Sequence, residues 1–275
     1  MTDPFAGKLC VVTGAASGIG RAVAVNLTRR GAALALSDIN EAGLEQTRAM
    51  IGDVASNRIR TDKLDIGDAA AIEAYAVTVK ESLGDADYVF NIAGLTRVGR
   101  FDETPLSSFE KIMDVNFWGV VRMTKAFLPQ LEATKGGVTN ISSLFGFIGF
   151  PGQAHYCASK FGVRGFTETI AEELSEKGVR VTSVHPGGVA TSIARNANID
   201  ALPQGAADRS EVEARFDKAA ITSAERAAEI ILNGTAKGKR RVVVGNDAKI
   251  ISFVQRMLPA SYMRGLRFIL PKDVT

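Results

Sequence analysis

The chain of 275 residues is 46% hydrophobic and 23% charged, and its formal net charge at pH 7 is +3. This length can hold one large α/β domain or two smaller ones, and so mild a charge balance argues against nucleic-acid binding. The two Cys and two His residues lack the spacing of metal ligands or of a disulfide framework. No stretch is long and apolar enough to cross a bilayer, and we expect a cytoplasmic protein in a reducing compartment.

The first residues, MTDPFAGKLCVVTG, contain an acidic residue and lead directly into a glycine-rich loop. We interpret them as the approach to a first strand rather than as a signal peptide. Further along, short runs rich in Val, Ile, Ala and Leu alternate with longer helical patterns, which predicts an α/β fold with one doubly wound parallel sheet of about seven strands and helices on both faces. The predicted strands lie at 8–13, 33–38, 58–64, 86–91, 137–142, 179–184 and 241–245. The predicted helices lie at 18–30, 41–51, 68–83, 107–133, 153–177 and 223–234.

No repeat, low-complexity tract or Pro/Ser-rich linker interrupts this alternation. We therefore predict one domain over residues 1–248, followed by a C-terminal tail at 249–275. The polar segment 192–218 is long for a connection inside a compact domain. Segments of this kind are usually lids or binding loops, so we expect a substrate loop there.

A glycine-rich turn, TGAASGIGRA, follows the first predicted strand and opens the first predicted helix. Gly14, Gly18 and Gly20 let the backbone turn tightly and approach a pyrophosphate, whose charge the N–H groups at the helix N-terminus would meet. A glycine-rich turn alone is often only a turn. The strand before it and the helix after it indicate dinucleotide binding, although the spacing differs from the more common G-x-G-x-x-G.

Asp38 ends the second predicted strand, eighteen residues beyond Gly20, where a carboxylate can bind the ribose hydroxyls of an adenosine. It could instead cap the helix that starts near Glu41. As a cofactor ligand it would repel a 2′-phosphate about 4 Å away by roughly 4 kcal/mol at an effective dielectric constant of about 20. Neither Ser17 nor Ile39 offers a compensating cation, so NAD is favoured over NADP.

Tyr156 and Lys160 lie four positions apart in AHYCASKFGVRGF, a stretch with helical periodicity. Four residues make just over one helical turn, so the two side chains would be neighbours on one face. A nearby cation favours the phenolate, and a downward pKa shift of roughly three units, or about 4 kcal/mol, would give a proton acceptor that works near neutral pH. Alone the pair is weak evidence, because a surface contact between a phenol and an ammonium group has the same spacing.

Five segments occur in a fixed order along the chain: TGAASGIG, NIAG at 91–94, NISS at 140–143, YCASK and HPGGVAT. With them the chain resembles, over roughly residues 5–245, the short-chain dehydrogenase/reductase family of NAD(P)-binding oxidoreductases with a Rossmann fold. The family's glycine motif has the T-G-x-x-x-G-x-G spacing found here, whereas its extended-branch epimerases usually show another spacing. The resemblance therefore implies a dehydrogenase. Ile92 departs from the pattern, because the family often has a second Asn there.

The resemblance also implies which residues bind the cofactor. Asp65 would meet the adenine amino group, and Thr191 would hold the nicotinamide carboxamide. Asn91, Ala93 and Gly94 would line the adenosine side. The full implied set is Gly14, Ser17, Gly18, Ile19, Gly20, Asp38, Asp65, Ile66, Asn91, Ala93, Gly94, Tyr156, Lys160, Pro186, Gly187, Val189 and Thr191.

By the same resemblance, the catalytic residues are Asn116, Ser143, Tyr156 and Lys160. Ser142 and Ser143 compete for the serine role; the family's usual count of thirteen residues back from Tyr156 selects Ser143, and Ser142 would point to the other face of the strand. Tyr156 would exchange a proton with the substrate hydroxyl while hydride passes to or from the nicotinamide. Lys160 would lower the pKa of the phenol and bind the nicotinamide ribose. Ser143 would fix the substrate oxygen, and Asn116 would hold a water that links Lys160 to solvent.

Four further residues carry chemistry but match no catalytic position. His155 and His185 are expected to be packed or hydrogen-bonded, although His155 could face the substrate. Cys10 and Cys157 are expected to be small buried hydrophobic residues.

The predicted function is hydride transfer between NAD(H) and a secondary alcohol or ketone, with Tyr156 as general acid and base. The stretch LFGFIGFPG supplies Phe145, Phe147, Ile148 and Phe150, which could wall an apolar pocket or pack in the core. A hydrophobic, lipid-like or steroid-like substrate is therefore favoured. The alternatives are a catalytically silent, nucleotide-sensing protein on the same fold and an NADP-dependent ketoreductase.

The tail AKIISFVQRMLPASYMRGLRFILPK mixes apolar and basic residues. It could cover the pocket, pack on a neighbouring subunit or touch a membrane surface, and subunit packing is favoured. The resemblance implies a homodimer or homotetramer that uses the apolar faces of the helices near 107–133 and 153–177. A small-molecule alcohol or ketone is the expected partner, and neither nucleic acid nor a metal ion is expected.

Overall fold

Seven parallel strands form the central sheet. The computed structural model describes residues 3–52, 58–191, 197–202 and 206–269. The strands of the sheet are β1 (Leu9–Thr13), β2 (Ala33–Asp38), β3 (Ile59–Lys63), β4 (Tyr88–Asn91), β5 (Gly137–Ile141), β6 (Arg180–Pro186) and β7 (Arg241–Val244). Their order is β3-β2-β1-β4-β5-β6-β7, and all neighbouring pairs are parallel. The predicted strands and the α/β fold class are confirmed.

Helices follow the strands and cover both faces of the sheet. They are α1 (Gly18–Arg29), α2 (Glu41–Ile51), α3 (Ala69–Leu83), α4 (Leu106–Met113), α5 (Gly119–Thr134), α6 (Ala154–Glu173), α7 (Arg209–Ala219), α8 (Ala224–Ala236), α9 (Asn246–Met257) and α10 (Tyr262–Ile269). The predicted helices are confirmed as elements. The sequence patterns did not predict α7, α9 and α10 as helices.

The chain reverses its direction of travel across the sheet between β1 and β4. It runs outward from β1 through β2 and β3 and then returns to the other side of β1. In open α/β sheets, ligands bind in the crevice outside the carboxyl ends of the strands at such a point. Thr13 and Asn91 end these two strands, so the fold itself places a binding crevice beside the glycine loop.

Side chains alternate along β1 and so fill two cores. Leu9 and Val11 pack on one face of the sheet, whereas Cys10 and Val12 pack on the other. Cys10 and Cys157 are both buried and free of disulfide bonds, as expected, and burial raises the pKa of both thiols. Apolar burial on both faces therefore holds the helices to the sheet.

The predicted helix at 107–133 is one helical rod whose pitch changes in the middle. α4 runs into a π-helical turn at Asp114–Trp118 and continues as α5. A π turn holds one more residue than an α turn, and such turns frequently occur at functional sites. Here the turn contains Asn116, which is fully buried.

The predicted C-terminal tail contains two helices that pack on the preceding chain. Ile251 of α9 and Leu266 of α10 are buried in one cluster with Phe147 and Ile148. The backbone N–H of Gly149 donates a hydrogen bond of 2.9 Å to the hydroxyl of Tyr262. Up to residue 269 the tail therefore contacts the segment after the predicted catalytic serine, and 270–275 lie outside the described residues.

The predicted substrate loop at 192–218 contains α7 and a short pairing with the loop after β4. Asn198–Ile199 runs parallel to Arg97–Val98. The Arg97 guanidinium donates two hydrogen bonds, of 2.9 and 2.5 Å, to the carboxylate of Asp200. Residues 192–196 and 203–205 of the loop lie outside the described residues. Among the helices that the structure describes, none combines the length and apolar character needed to cross a membrane.

Candidate active site

The glycine loop after β1 packs directly on the loop after β4. The hydroxyl of Thr13 accepts hydrogen bonds from the backbone N–H groups of Ile92 (3.0 Å) and Ala93 (3.1 Å). Gly14 has φ +71°, and a Cβ at this position would lie 2.8 Å from the backbone of Ala93. Only glycine fits there, because both the positive φ and the close contact exclude a side chain.

The N-terminus of α1 faces the cleft beside this loop. Ser17 is the N-cap residue, and Gly18 follows with φ +52°. A Cβ at Gly18 would lie 3.0 Å from the side chain of Thr191, so the glycine loop and the loop after β6 meet here. The first N–H groups of a helix and its dipole attract anions. The arrangement fits a pyrophosphate.

Asp38 lies at the carboxyl end of β2 and lines the same cleft. Its carboxylate accepts hydrogen bonds of 3.0 Å from the backbone N–H groups of Ala16 and Asn40. The N-cap of α2 is Asn40, whose side chain accepts from the N–H of Gly43. The alternative interpretation of Asp38 as the helix cap is therefore wrong, and its carboxylate is held at the cleft by two backbone donors.

Nearly all of the predicted site residues line one cleft. They are Gly14, Ser17, Gly18, Ile19, Gly20, Asp38, Asp65, Ile66, Ala93, Gly94, Ser143, Tyr156, Lys160, Pro186, Gly187, Val189 and Thr191. Asn91 is an exception: it is 2% exposed and donates hydrogen bonds to the side chains of Asn140 (2.8 Å) and Thr124 (3.1 Å). Its side chain joins β4 to β5 and α5 instead of lining the adenosine side. The pleat of β4 decides this orientation, and a motif match does not reveal it.

The two candidate serines at the end of β5 have different partners. Ser142 is buried and its hydroxyl donates to the backbone oxygen of Lys160 at 2.8 Å. The side chain of Ser143 accepts a hydrogen bond from the N–H of Phe145 at 3.1 Å. It also acts on the phenol of Tyr156, where it opposes the burial that raises the pKa of that group. Of the two serines, the structure therefore associates the tyrosine with Ser143, the serine selected by the residue count.

Lys160 is buried one turn beyond Tyr156 on α6, and its ammonium group donates to the backbone oxygen of Ile141 at 3.0 Å. The ammonium nitrogen lies 5.6 Å from the centre of the Tyr156 ring. Burial lowers the pKa of Lys160 to about 8.

The expected effect of Lys160 on the phenol is not what the structure shows. Burial raises the pKa of Tyr156 to about 12, against the opposing effect of the neighbouring Ser143 side chain. The lysine is itself desolvated, and its ammonium group is directed at a backbone carbonyl. The prediction that the protein alone gives Tyr156 an acidic phenol is therefore wrong, because burial disfavours the charged forms of both groups.

Asn116 is held by the loop after β4. Its side-chain oxygen accepts from the N–H of Leu95 at 2.9 Å, and its side-chain nitrogen donates to the oxygen of Leu95 at 2.9 Å and to the hydroxyl of Ser159 at 3.2 Å. A Cβ at Gly94 would lie 3.1 Å from the Asn116 oxygen and 3.5 Å from the Lys160 nitrogen. The amide thus lies close to the lysine, while its polar atoms fix the loop; the role in holding a water remains a prediction.

His185 on β6 contacts the backbone of Ser143. Its Nδ1 lies 3.2 Å from the backbone oxygen of Ser143, its Nε2 lies 3.0 Å from the hydroxyl of Ser183, and its ring stacks on Phe147 at 4.1 Å. Because a carbonyl can only accept, Nδ1 carries the proton and Nε2 accepts from Ser183. Burial lowers the pKa of His185 to about 4. The expectation of a hydrogen-bonded histidine is confirmed, and its contact with the serine is an addition.

Asp247 is a further support that the sequence did not reveal. Its carboxylate accepts a hydrogen bond of 2.7 Å from the N–H of Gly188. A Cβ at Gly187 would lie 2.1 Å from this carboxylate, so the lack of a side chain at Gly187 allows the close approach. Acidic residues are common in the first turn of a helix, so nothing in the sequence indicated that Asp247 holds the loop after β6.

The apolar residues after Ser143 divide into a pair of rings near Tyr156 and a pair of core residues. The ring of Phe145 is edge-on to Tyr156 at 6.1 Å and stacks on Phe150 at 5.0 Å, whereas Phe147 and Ile148 are buried in the core. His155 is 1% exposed and lies 5.2 Å from the ring of Phe109. It is a packed histidine, and burial lowers its pKa.

Comparison with known proteins agrees with this geometry. A family model described as short chain dehydrogenase matches residues 8–202. A Mycobacterium tuberculosis protein named as an oxidoreductase, SadH, is 44% identical over 264 residues, which are 94% of each chain. The mitochondrial D-beta-hydroxybutyrate dehydrogenase of Rattus norvegicus is 34% identical over 210 residues, 73% of this chain and 60% of that protein. A solved structure of a short chain dehydrogenase/reductase from Burkholderia phymatum, in complex with NAD, has a TM-score of 0.84 at 24% identity and covers 94% of this chain and 96% of that one.

The matched residues run from the start of β1 to beyond β6. They include the glycine loop, Ser143, Tyr156 and Lys160. The resemblance drawn from the sequence motifs is confirmed by the family match and by the strand order. The chain belongs to the short-chain dehydrogenase/reductase family of oxidoreductases.

Proposed function

We propose that the protein transfers hydride between NAD(H) and a secondary alcohol or ketone, with Tyr156 as the general acid and base. One observation carries this proposal. The hydroxyl-bearing residues Ser143 and Tyr156, with Lys160 one turn further on, line the same cleft as the glycine loop and Asp38. A nucleotide sensor needs the nucleotide part of this cleft, but it does not need a positioned pair of hydroxyls.

The residues present fit a dinucleotide along the whole cleft. The glycine loop and the N-terminus of α1 would hold the pyrophosphate, and Asp38 would hold the adenosine ribose. The proposal of NAD over NADP is supported by Asp38, because a 2′-phosphate beside this carboxylate would be repelled. The nearby cation Lys111 lies 3.8 Å from the carboxylate of Asp65, so its charge is already partly balanced. The bound cofactor would supply the hydride acceptor or donor.

The chain's own residues would then position the substrate oxygen and handle its proton. Ser143 would donate to that oxygen and fix its position, and His185 holds the backbone carbonyl of Ser143. Tyr156 would give its proton to the oxygen during ketone reduction and accept it during alcohol oxidation. Because the pKa of Tyr156 is about 12 in the free protein, its phenol is protonated at neutral pH, which is the form that reduction requires.

An apolar wall beside the tyrosine supports a hydrophobic substrate. Phe145 contacts Tyr156 and Phe150, and Leu95 and Val115 line the cleft. Apolar walls with few polar groups are typical of small-molecule sites. The name of the hydroxybutyrate dehydrogenase relative also denotes a secondary alcohol.

We further propose a homodimer or homotetramer that uses the π turn and α6. Trp118 is 49% exposed and Phe161 is 41% exposed, and large exposed apolar side chains are common at subunit contacts. Cys10 and Cys157, both free, support a reducing compartment such as the cytoplasm.

The experiment is a screen of hydrophobic secondary alcohols and the matching ketones against NAD(H) and NADP(H), followed by the absorbance of the reduced nicotinamide. The proposal expects turnover with NAD(H) and a lower kcat/KM with NADP(H). Ser143→Ala is the matched control, and it should lose turnover while it still binds NADH. Binding of NADH without turnover of any alcohol or ketone would favour the nucleotide sensor.

A further inference from the structure

The outer side of α9 carries an apolar surface that the rest of the described chain leaves open. Ile250, Phe253 and Met257 are 49%, 64% and 62% exposed. They are three and seven residues apart, so they lie on one side of the helix. The opposite side packs inward, with Ala248 and Ile251 buried. The helix therefore has an inner apolar side that packs on the chain and an outer apolar side that meets solvent.

Cations border this outer side. Lys249 and Arg256 are seven residues apart, so they share an edge of the helix beside Phe253, and both are exposed. Arg264 of α10 is exposed as well. From residue 248 to residue 269 the sequence contains no Asp or Glu.

The nearest acidic residue along the chain does not balance these charges. Asp247 is directed inward, where its carboxylate accepts from the N–H of Gly188. Among the residues that the structure describes, no carboxylate forms an ion pair with Lys249, Arg256 or Arg264. The surface is therefore apolar at its centre and positive at its edge, and residues 248–269 add no acidic residue to it.

We propose that this surface binds the face of an anionic lipid membrane, with α9 lying in the plane of the headgroups. A basic amphipathic helix binds there because its apolar side enters the headgroup and acyl boundary while its cations meet anionic lipid. A second copy of the chain is a less favourable binding partner for this surface than an anionic membrane. A two-fold contact would bring the same cations of both copies together, with no acidic residue in the patch to separate them.

The position of this surface near the candidate active site suggests a role in substrate access, and this role rests on the proposed function. On its inner side, α9 packs with α10 on Phe147 and Ile148. These residues lie in the same short segment as Phe145, whose ring contacts that of Tyr156. A membrane bound at α9 would therefore lie on the side of the molecule where a hydrophobic alcohol or ketone enters.

The test is co-sedimentation of the full chain with vesicles of phosphatidylcholine, with and without about one third phosphatidylglycerol. We expect binding to the mixed vesicles, weaker binding to pure phosphatidylcholine, and a loss of binding as salt is raised. The double variant Lys249→Gln/Arg256→Gln should bind the mixed vesicles about thirtyfold more weakly. Phe253→Ser/Met257→Ser should lose at least about thirtyfold through its apolar contact.

The matched control is Met50→Ser/Val77→Ser on α2 and α3. These side chains are 62% and 56% exposed, and they lie on helices other than α9 and α10. The control should bind like the unmodified protein, and circular dichroism should show that all variants are folded. Absence of binding to mixed vesicles, or equal binding by the α9 variants and the control, would overturn the proposal.

Light scattering tests whether the surface binds a second copy of the chain instead of a membrane. If the α9 variants lowered the oligomeric mass in the absence of vesicles, the surface would be a subunit contact and the membrane role would be rejected. None of these readouts depends on turnover, so failure here leaves the proposed oxidoreductase activity standing.

Discussion

The pH dependence of stability offers a test of how His185 is packed behind Ser143. Burial lowers its pKa from 6.5 to about 4, so the folded protein resists protonation that the unfolded chain accepts near pH 6.5. Above that pH the residue is neutral in both states and costs no stability. As the pH falls from 6.5 towards 4, the unfolded state binds more protons and the free energy of unfolding decreases. The full loss would be about 3 kcal/mol, and most of it falls between about pH 7 and about pH 4.5.

The perturbation is His185→Asn, which removes the titrating ring and keeps a side-chain N–H near the backbone oxygen of Ser143. The assay is urea unfolding followed by circular dichroism at about pH 7 and about pH 4.5. The variant will be less stable at neutral pH, because it loses the stacking on Phe147. Its decrease in stability between the two pH values should nevertheless be smaller than that of the unmodified protein by about 2 kcal/mol. Other groups such as His155 titrate in both proteins and cancel. An equal decrease in both proteins would refute the account of His185 as a buried neutral residue.

Three further predictions concern the cleft. Asp38→Asn should raise the ratio of kcat/KM with NADP to kcat/KM with NAD by about tenfold to a hundredfold, because it removes the carboxylate's repulsion of a 2′-phosphate; an unchanged ratio in steady-state assays would count against Asp38 as the selective residue. Gly14→Ala should lower the free energy of unfolding by about 1–3 kcal/mol and weaken NADH binding, because its Cβ would lie 2.8 Å from the Ala93 backbone. The control Gly165→Ala, with no atom within 4 Å of the new Cβ, should be neutral or stabilising by up to about 1 kcal/mol in the same urea titration. In the free protein the phenol of Tyr156 should ionise only near its pKa of about 12; a phenolate absorbance that Tyr156→Phe removes near neutral pH would show that Lys160 acidifies it after all.

The sheet was predictable because several of its strands are short and largely apolar, as in β1, where all five residues are buried. Buried parallel strands between helical patterns leave few alternative topologies. The same reasoning fails for α9 and α10. Both have apolar residues on two sides and basic residues between them, so the sequence predicts an amphipathic tail without saying what it packs on.

The cleft was predictable as a set of positions, but the contacts within it were not. Motif spacing brought Ser143, Tyr156 and Lys160 together. It could not show that Asn91 turns into the interior, because the side of a strand on which a residue lies depends on the pleat. Nor could it show that burial raises the pKa of Tyr156, because desolvation depends on the whole surrounding structure.

The two residues that hold the site from behind, His185 and Asp247, could not be predicted from the sequence alone. His185 and Asp247 act through Ser143 and Gly188, which lie 42 and 59 residues away in the chain. Parallel strands bring such distant residues to one edge of the sheet. These contacts depend on tertiary packing.

The measurement that tests the central claim most directly compares the unmodified protein with Tyr156→Phe for turnover of an active alcohol and for NADH binding by fluorescence. The account predicts that turnover falls by at least about a hundredfold while the affinity for NADH changes by less than about threefold, since the phenol handles the proton and the remaining cleft holds the nucleotide. Turnover that survives the loss of this hydroxyl would contradict it.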